Sequence, residues 1–396
     1  VVPTRIQNLD AVRGIAVLGI LAVNALTYGW PMEAMMALGH LPMAVDTMLV
    51  GSDRVAAWVT ETFFLDKFRT LFGILFGVSV YLVGGERHDT VRSRLMKRRL
   101  GWLAVFGVLH GLALWYGDIL LLYAWTGLFA MLIRSAPAKV LIWVGVAIMG
   151  TLSLMQACLG LLMPMMPTEL AAAFEGHAEV TSSSLLATVE QVRAGMGGAF
   201  LNNLRSWAIL QGASLTVYLI PTFGLMVLGM GLYKARFFHG EARPRVYVIL
   251  LVLGGLALVF KAWSSWTELN APIAQMPSMG LNMAASSLSL LVSLAYATII
   301  IKLPALFRWA TPVGRMAFTT YLSQSLIMFC LFTLPWGPHW YGQLSPAGFW
   351  PIIGTLWIAQ IAFAHLWLKA FRWGPLEWLW RSLTEGRRLP NRLSKA

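Results

Sequence analysis

Charge is what this sequence has least of. Asp, Glu, Lys and Arg make up 12% of the 396 residues and hydrophobic residues 58%, where a soluble domain carries about 25% charged residues. With a mean hydropathy of +0.68, a water-soluble globule is excluded. Cysteine is almost as scarce. Cys158 and Cys330 both lie inside apolar runs, which excludes a disulfide framework and reads as buried packing. No Cys/His group has metal-ligand spacing, so no metal is expected. There is no Walker A loop, no Gly-x-Ser-x-Gly elbow and no HExxH, which excludes ATP-driven work by this chain alone. The short alternating segments of a transmembrane β-barrel are missing, as is any repeat of 20–50 residues. No cleavable leader is read, because the first apolar run starts after Arg13 and reaches Asn24 and Pro31 without a small-residue cleavage site.

What the chain does have is apolar runs near the length that crosses a bilayer. Ten crossings are read, at about 12–29, 66–85, 100–116, 118–133, 140–163, 209–233, 246–262, 281–301, 314–334 and 350–369. The fold class is therefore an all-α, polytopic membrane protein. The net charge of +13 is not a nucleic-acid footprint, because the basic residues sit between apolar runs. Stretches 1–13, 86–99, 134–139, 234–245, 302–315 and 369–396 hold 24 of the 30 Lys and Arg residues. That bias places them, and both termini, in the cytoplasm.

The same rule splits 100–133 into a hairpin. Its flanks, 86–99 and Arg134 to Lys139, are both basic, so an even number of crossings must separate them. The turn falls at Tyr116-Gly117-Asp118. The segment 164–206 becomes the largest outer loop, a cap with a helix near 184–200. Pro221 is expected to kink the sixth span. The tail 371–396 mixes Trp with Arg and reads as an interfacial helix on the inner leaflet.

Four constellations carry the chemistry. His110 and Asp118 lie inside the apolar hairpin, where an ionisable group is costly unless it faces a partner or a cavity. A histidine is a general base near neutral pH, and an aspartate can hold its tautomer; a structural bond closing the hairpin is the plainer alternative. Arg99, at the inner end, is eleven residues from His110, about three helical turns or roughly 16 Å on the same face. Asp10 and Arg13 open the first span as an i,i+3 pair, with Asn24 deeper in the same helix. Asp66-Lys67-Phe68-Arg69 starts the second span, and Gly73 and Gly77 behind it permit a close helix contact. Arg315, Thr320, Tyr321, Gln324 and Ser325 put polar stripes on the ninth span, as interhelical glue or a cavity wall. His40, on the outer side, is the one other histidine worth a control mutation.

These residues resemble the YeiB-like bacterial membrane proteins, which contain a domain of unknown function. The resemblance rests on Leu9-Asp10-x-x-Arg13-Gly14 with Asn24, and on Lys67-Phe68-x-Thr70-Leu71-Phe72-x-x-Leu75-Phe76-Gly77. It continues in Gly107-x-x-His110-Gly111 with Gly117-Asp118-Ile119-Leu120-x-x-Tyr123, in Gly314-Arg315-Met316-Ala317-x-Thr319-x-Tyr321, and in Gly374-Pro375-x-Glu377-Trp378-Leu379-Trp380-Arg381. That group is placed with the transmembrane acyltransferases. Arg5-Ile6, Asp10, Arg13-Gly14-Ile15-Ala16 and Asn24 are similar to the first helix of heparan-alpha-glucosaminide N-acetyltransferases. Arg99 with His110 resembles the Arg-x10-His motif of membrane O-acyltransferases. The outer-loop histidine of the heparan-type enzymes has no counterpart here unless it is His40.

The resemblance implies an acyltransferase of the bacterial inner membrane with acyl-CoA as donor. His110 is then base or acyl carrier and Asp118 its orienter. Arg99, Arg13, Asp10, Asn24, Lys67, Arg315, Tyr321 and Gln324 bind substrate or cofactor. The acceptor is a lipid, a glycan or another small molecule facing the envelope. The other readings are a transporter or lipid-handling protein that uses His110 and Asp118 as a proton relay, and a sensor or scaffold in which the polar groups only hold helices together.

Overall fold

A computed structural model describes residues 6–35, 38, 41–42, 48–165, 182–271 and 276–393. Among them the chain is helical apart from its connecting turns, with no strand and an isolated bridge between Phe371 and Arg392. The helices are α1 (Gln7–Gly29), α2 (Gly51–Val59), α3 (Lys67–Gly84), α4 (Thr90–Ala113), α5 (Leu120–Ile133), α6 (Ala138–Leu162), α7 (Ser182–Arg193), α8 (Met196–Ala213) and α9 (Leu219–Lys234). Then follow α10 (Pro244–Leu269), α11 (Met276–Ser286), α12 (Ser289–Lys302), the short α13 (Pro304–Phe307) and α14 (Thr311–Arg315), α15 (Ala317–Phe332), α16 (Phe349–Ala370) and α17 (Pro375–Glu385).

Six helical segments are long and apolar enough to cross a membrane, and a seventh counts if α11 and α12, bent by 46° at their junction, form one span. This is a multi-pass membrane protein. The short apolar helices α5 and α15 and the half-basic α4 do not qualify by themselves, so length alone supports fewer spans than the ten read from charge parity. α1 is the central helix; α6, α10 and α16 are peripheral and leave most of their apolar surface open. Trp143, Leu154, Val259 and Ile358 all point outward, as residues facing hydrocarbon do. Cys158 on α6 is exposed with them rather than buried, while Cys330 is half-buried; both are free thiols. The expectation of buried cysteines fails for Cys158 because an outward-facing apolar residue needs no core in lipid.

Small residues set the closest helix crossings. A Cβ on Gly314 would meet the Asp10 carbonyl oxygen at 1.7 Å, and one on Gly14 the Ala310 oxygen at 2.1 Å, so α14 lies directly on α1. A Cβ on Gly77 would meet the Met226 oxygen at 2.0 Å, which fixes α3 against α9. The hairpin turn falls where charge parity placed it, with α4 ending at Ala113 and α5 starting at Leu120. The helix expected near 184–200 is two helices, α7 and α8, broken at Gly195 (φ 144°). Pro221 sits in α9 of a helical segment that runs on from Met196 to Lys234; a π-helical turn over Ser214–Tyr218 lies just upstream of the proline, whose missing N–H cannot continue the ladder. Much of the loop 164–206, including Glu169, Glu175 and Glu179, and also His40, lies outside the described residues.

Candidate functional site: a buried His–Asp–Ser–Tyr chain

The α4–α5 hairpin is closed by its own acid. One carboxylate oxygen of Asp118 accepts from the Leu121 backbone N–H (2.9 Å), at the start of α5, where a carboxylate favours the helix dipole. The other lies 2.9 Å from Nδ1 of His110. Both side chains are buried, 0% and 1% exposed. A carboxylate only accepts, so Nδ1 carries the hydrogen and Nε2 is bare in the neutral ring. Nε2 then accepts from the Ser325 hydroxyl on α15 (2.8 Å), and Ser325 Oγ from the Tyr28 hydroxyl on α1 (2.7 Å). The donors run in one direction, Tyr28 to Ser325 to His110 to Asp118, and three helices are tied by four side chains. The Tyr321 ring stands 5.3 Å from the imidazole, and its hydroxyl donates to the Gly117 carbonyl at 3.4 Å.

Two openings meet this chain. On one side is an apolar groove of about 370 Å³ between α4 and α15, lined by Phe106, Leu109, His110, Leu322, Leu326 and Leu376 among others. On the other is a cleft of about 60 Å³ bounded by Thr27, Tyr28, Asn202, Asn203, Thr333 and Tyr341. Ala113 and Leu114 line both.

The remaining sequence-derived residues fall into three places. Arg13 pairs with Asp10 (3.3 Å) and donates to Ser79 (3.2 Å). Arg99 stacks on Trp380, 3.8 Å from the ring centre, and its carbonyl accepts from the Trp380 indole (2.9 Å). Arg315 donates to the Arg372 carbonyl (3.2 Å). These arginines share the basic end of the bundle, under α17. That tail helix docks through Glu377, whose carboxylate accepts from the Phe318 and Thr319 N–H groups (2.7 and 3.1 Å) at the start of α15. Burial raises the Glu377 carboxyl above its ordinary range, and the bonds from Thr319 and Phe318 oppose that shift. Gln324 joins Gln360 (3.0 Å) and the Val17 carbonyl (3.3 Å); this is interhelical glue. Asn24 is half-buried on α1, one turn before Tyr28 on the same face.

Lys67 belongs to a second buried group that the sequence reading did not assemble. Its ammonium donates to the Glu61 carbonyl (2.9 Å). Lys261 on α10 donates to Asn282 (2.5 Å) and Ser286 (3.0 Å) on α11 and lies 3.7 Å from the Glu61 carboxylate. The Asn282 amide donates to Glu61 (3.2 Å) and to Glu268. The backbone here is irregular: Thr60–Phe64 is a π-helical turn, Asp66 is left-handed (φ 65°), and α11 bends into α12. A lone lysine inside the apolar run of α10 was the available signal. Ser325 was visible as the i+4 partner of Tyr321, whereas nothing marked Tyr28.

Helical bundle and buried His–Asp chain together define a multi-pass membrane protein with a hydrogen-bonded polar chain in its core. The particular group follows from comparison. The chain is 31% identical to the uncharacterized protein YeiB of Escherichia coli (strain K12), over 95% of both chains. It is 29% identical to the uncharacterized protein YxaH of Bacillus subtilis (strain 168), over 96% of this chain and 94% of that one. Residues 232–387 match the family described as Protein of unknown function (DUF418). The chain belongs to the YeiB-like family. No solved structure matches it.

Proposed function

We propose that the protein is an acyltransferase of the bacterial inner membrane, moving an acyl group from a cytoplasmic thioester, acyl-CoA, to a hydroxyl or amine on the outer side. The observation that carries this reading is the chain Asp118–His110–Ser325–Tyr28, buried in the bundle with an opening at either side. Its parts match a base, an orienting acid and a proton route. The basic bias of 24 of the 30 Lys and Arg residues supports ten crossings with both termini inside. The arginine-rich end, with Arg99, Arg13 and Arg315, then faces the cytoplasm, where a donor's phosphates would bind.

In this mechanism an acceptor hydroxyl beside Tyr28 gives up its proton through Tyr28 and Ser325 to His110 Nε2. The acceptor oxygen bonds to the thioester carbonyl carbon and the C–S bond breaks. The thiolate takes the proton back from the imidazolium, leaving an ester and a free thiol. Asp118 holds the ring and stabilises its cationic form. The test is acyl transfer from radiolabelled acyl-CoA by the purified protein in nanodiscs, beside His110→Ala. Transfer at the wild-type rate in that variant overturns the assignment of His110.

A second reading, a proton-linked transporter, is favoured by one observation: Lys261, Glu61 and Glu268 sit where α2, α3 and α11 are broken, as ion sites of transporters do. Proton-coupled uptake into liposomes with no thioester consumed would replace the first reading by this one.

A further inference from the structure

The two openings along the His110 chain share Ala113 and Leu114 in their walls. The groove is a pair of matched stripes, Phe106, Leu109, His110 and Ala113 on α4 against Thr319, Leu322, Ser323 and Leu326 on α15. Leu109 and Leu326 face outward from the bundle, so the groove opens sideways into hydrocarbon. Leu376 of the tail helix lines it together with Thr319, the residue bonded to Glu377, so α17 forms its stop. A water-soluble substrate has no reason to occupy this space; an alkyl chain does.

The cleft across Ala113 and Leu114 is different. Its lining includes Thr27, Tyr28, Asn202, Asn203, Thr333 and Tyr341, with no charged side chain among the described residues that line it. At about 60 Å³ it has room for a few waters. The Tyr341 hydroxyl in its wall is buried beside Asn202, and with Tyr28, Asn203 and Thr333 these side chains offer a ligand hydroxyl uncharged hydrogen-bonding partners.

We propose that the acceptor is a membrane lipid with one long chain and a small, uncharged, hydroxyl-bearing headgroup of glycerol size. The chain lies in the groove between α4 and α15 and the headgroup in the cleft. The join between them passes Ala113 and Leu114, next to His110. As acceptor assignment this rests on the acyltransferase reading; as a lipid site it does not.

The test uses a 1-monoacylglycerol carrying a diazirine in its chain, irradiated with the intact protein in nanodiscs without any thioester. Labelled peptides are mapped by mass spectrometry. Label is expected within 106–114 and 319–326. Ala113→Trp, which fills the junction, lowers it by about ten-fold or more, the size expected of an overpacked site. Leu326→Trp does the same from the open side of the groove, where no core is disturbed, and so covers the case of a misfolded Ala113→Trp. Tyr341→Phe weakens labelling by the glycerol probe and leaves labelling by a lysophosphatidylcholine of equal chain length unchanged. Label spread evenly over outward-facing helices, or equal labelling by both probes, overturns the proposal. Groove labelling in protein that transfers no acyl group keeps the lipid site and removes the reaction. Transfer to a soluble acceptor with the groove unlabelled does the reverse.

Discussion

Two regions of this bundle bury ionisable groups, and they solve the cost differently. Around His110 the chain Tyr28–Ser325–His110–Asp118 has one carboxylate, one imidazole and two hydroxyls, and it borders two openings. Around Lys261 the charges are mixed and interlocked through Asn282 and Ser286, with Glu61 reaching a cavity that it shares with Trp350 and Ile353. Burial of charge is common to both, so burial alone does not identify a reactive site. What separates them is access: a base must reach a substrate, whereas a network whose members satisfy one another is complete without one.

Removing one member of each sharpens that contrast. His110→Ala is expected to cut acyl transfer by about 10²–10⁴-fold, the range general bases supply, with the protein still monodisperse on gel filtration. Lys261→Met is expected to cost up to about 3 kcal/mol, because it leaves the half-buried Glu61 and Glu268 carboxylates without their cation; the readout is loss of folded protein, with transfer per folded molecule kept. The double variant Lys261→Met with Glu61→Gln should recover most of that loss. If instead Lys261→Met folds normally and only function disappears, the second region is the active one and the comparison inverts. Asp118→Asn falls in between. The amide can still accept from His110 but no longer stabilises its cation, so transfer should drop by about 10–100-fold, checked by the same thioester assay.

The two regions also differ in how far the sequence exposed them. His110 and Asp118 are eight residues apart, and the basic flanks of one apolar stretch were enough to place a turn between them. Local spacing plus charge parity therefore reached the pair itself. Its extension to Ser325 and Tyr28 needs α15 and α1 to pack on the hairpin, which no local pattern encodes. The Lys261 group is drawn from residues 61, 67, 261, 268 and 282, on segments whose neighbourhood is set by tertiary packing. Lys67 was visible and its partners were not. Crossing length was the weakest guide, because α5 and α15 are too short to qualify as spans yet supply the Leu121 N–H and Ser325 that hold the site.

The smallest expected effect lies at the basic end and tests whether the tail helix belongs to the site or only closes it. Glu377 caps α15 from α17, and burial raises its carboxyl. A carboxyl raised in the folded state loses protons later than in the unfolded chain. Its contribution is therefore fully present below the unfolded value, about 4.3 for glutamate, and is lost as pH rises through the folded one. Wild-type protein should melt slightly higher at the acid end of that window than at neutral pH, other groups being held equal by comparison with Glu377→Gln. The glutamine keeps an acceptor for the Phe318 and Thr319 N–H groups and cannot ionise, so the difference should vanish in it at a cost of about 1 kcal/mol. Thermal melts of both proteins across the window give the answer. A pH trend that survives in Glu377→Gln places the titration elsewhere. One that vanishes, with monoacylglycerol labelling of the groove unchanged, makes α17 a stop for the chain and not part of the relay.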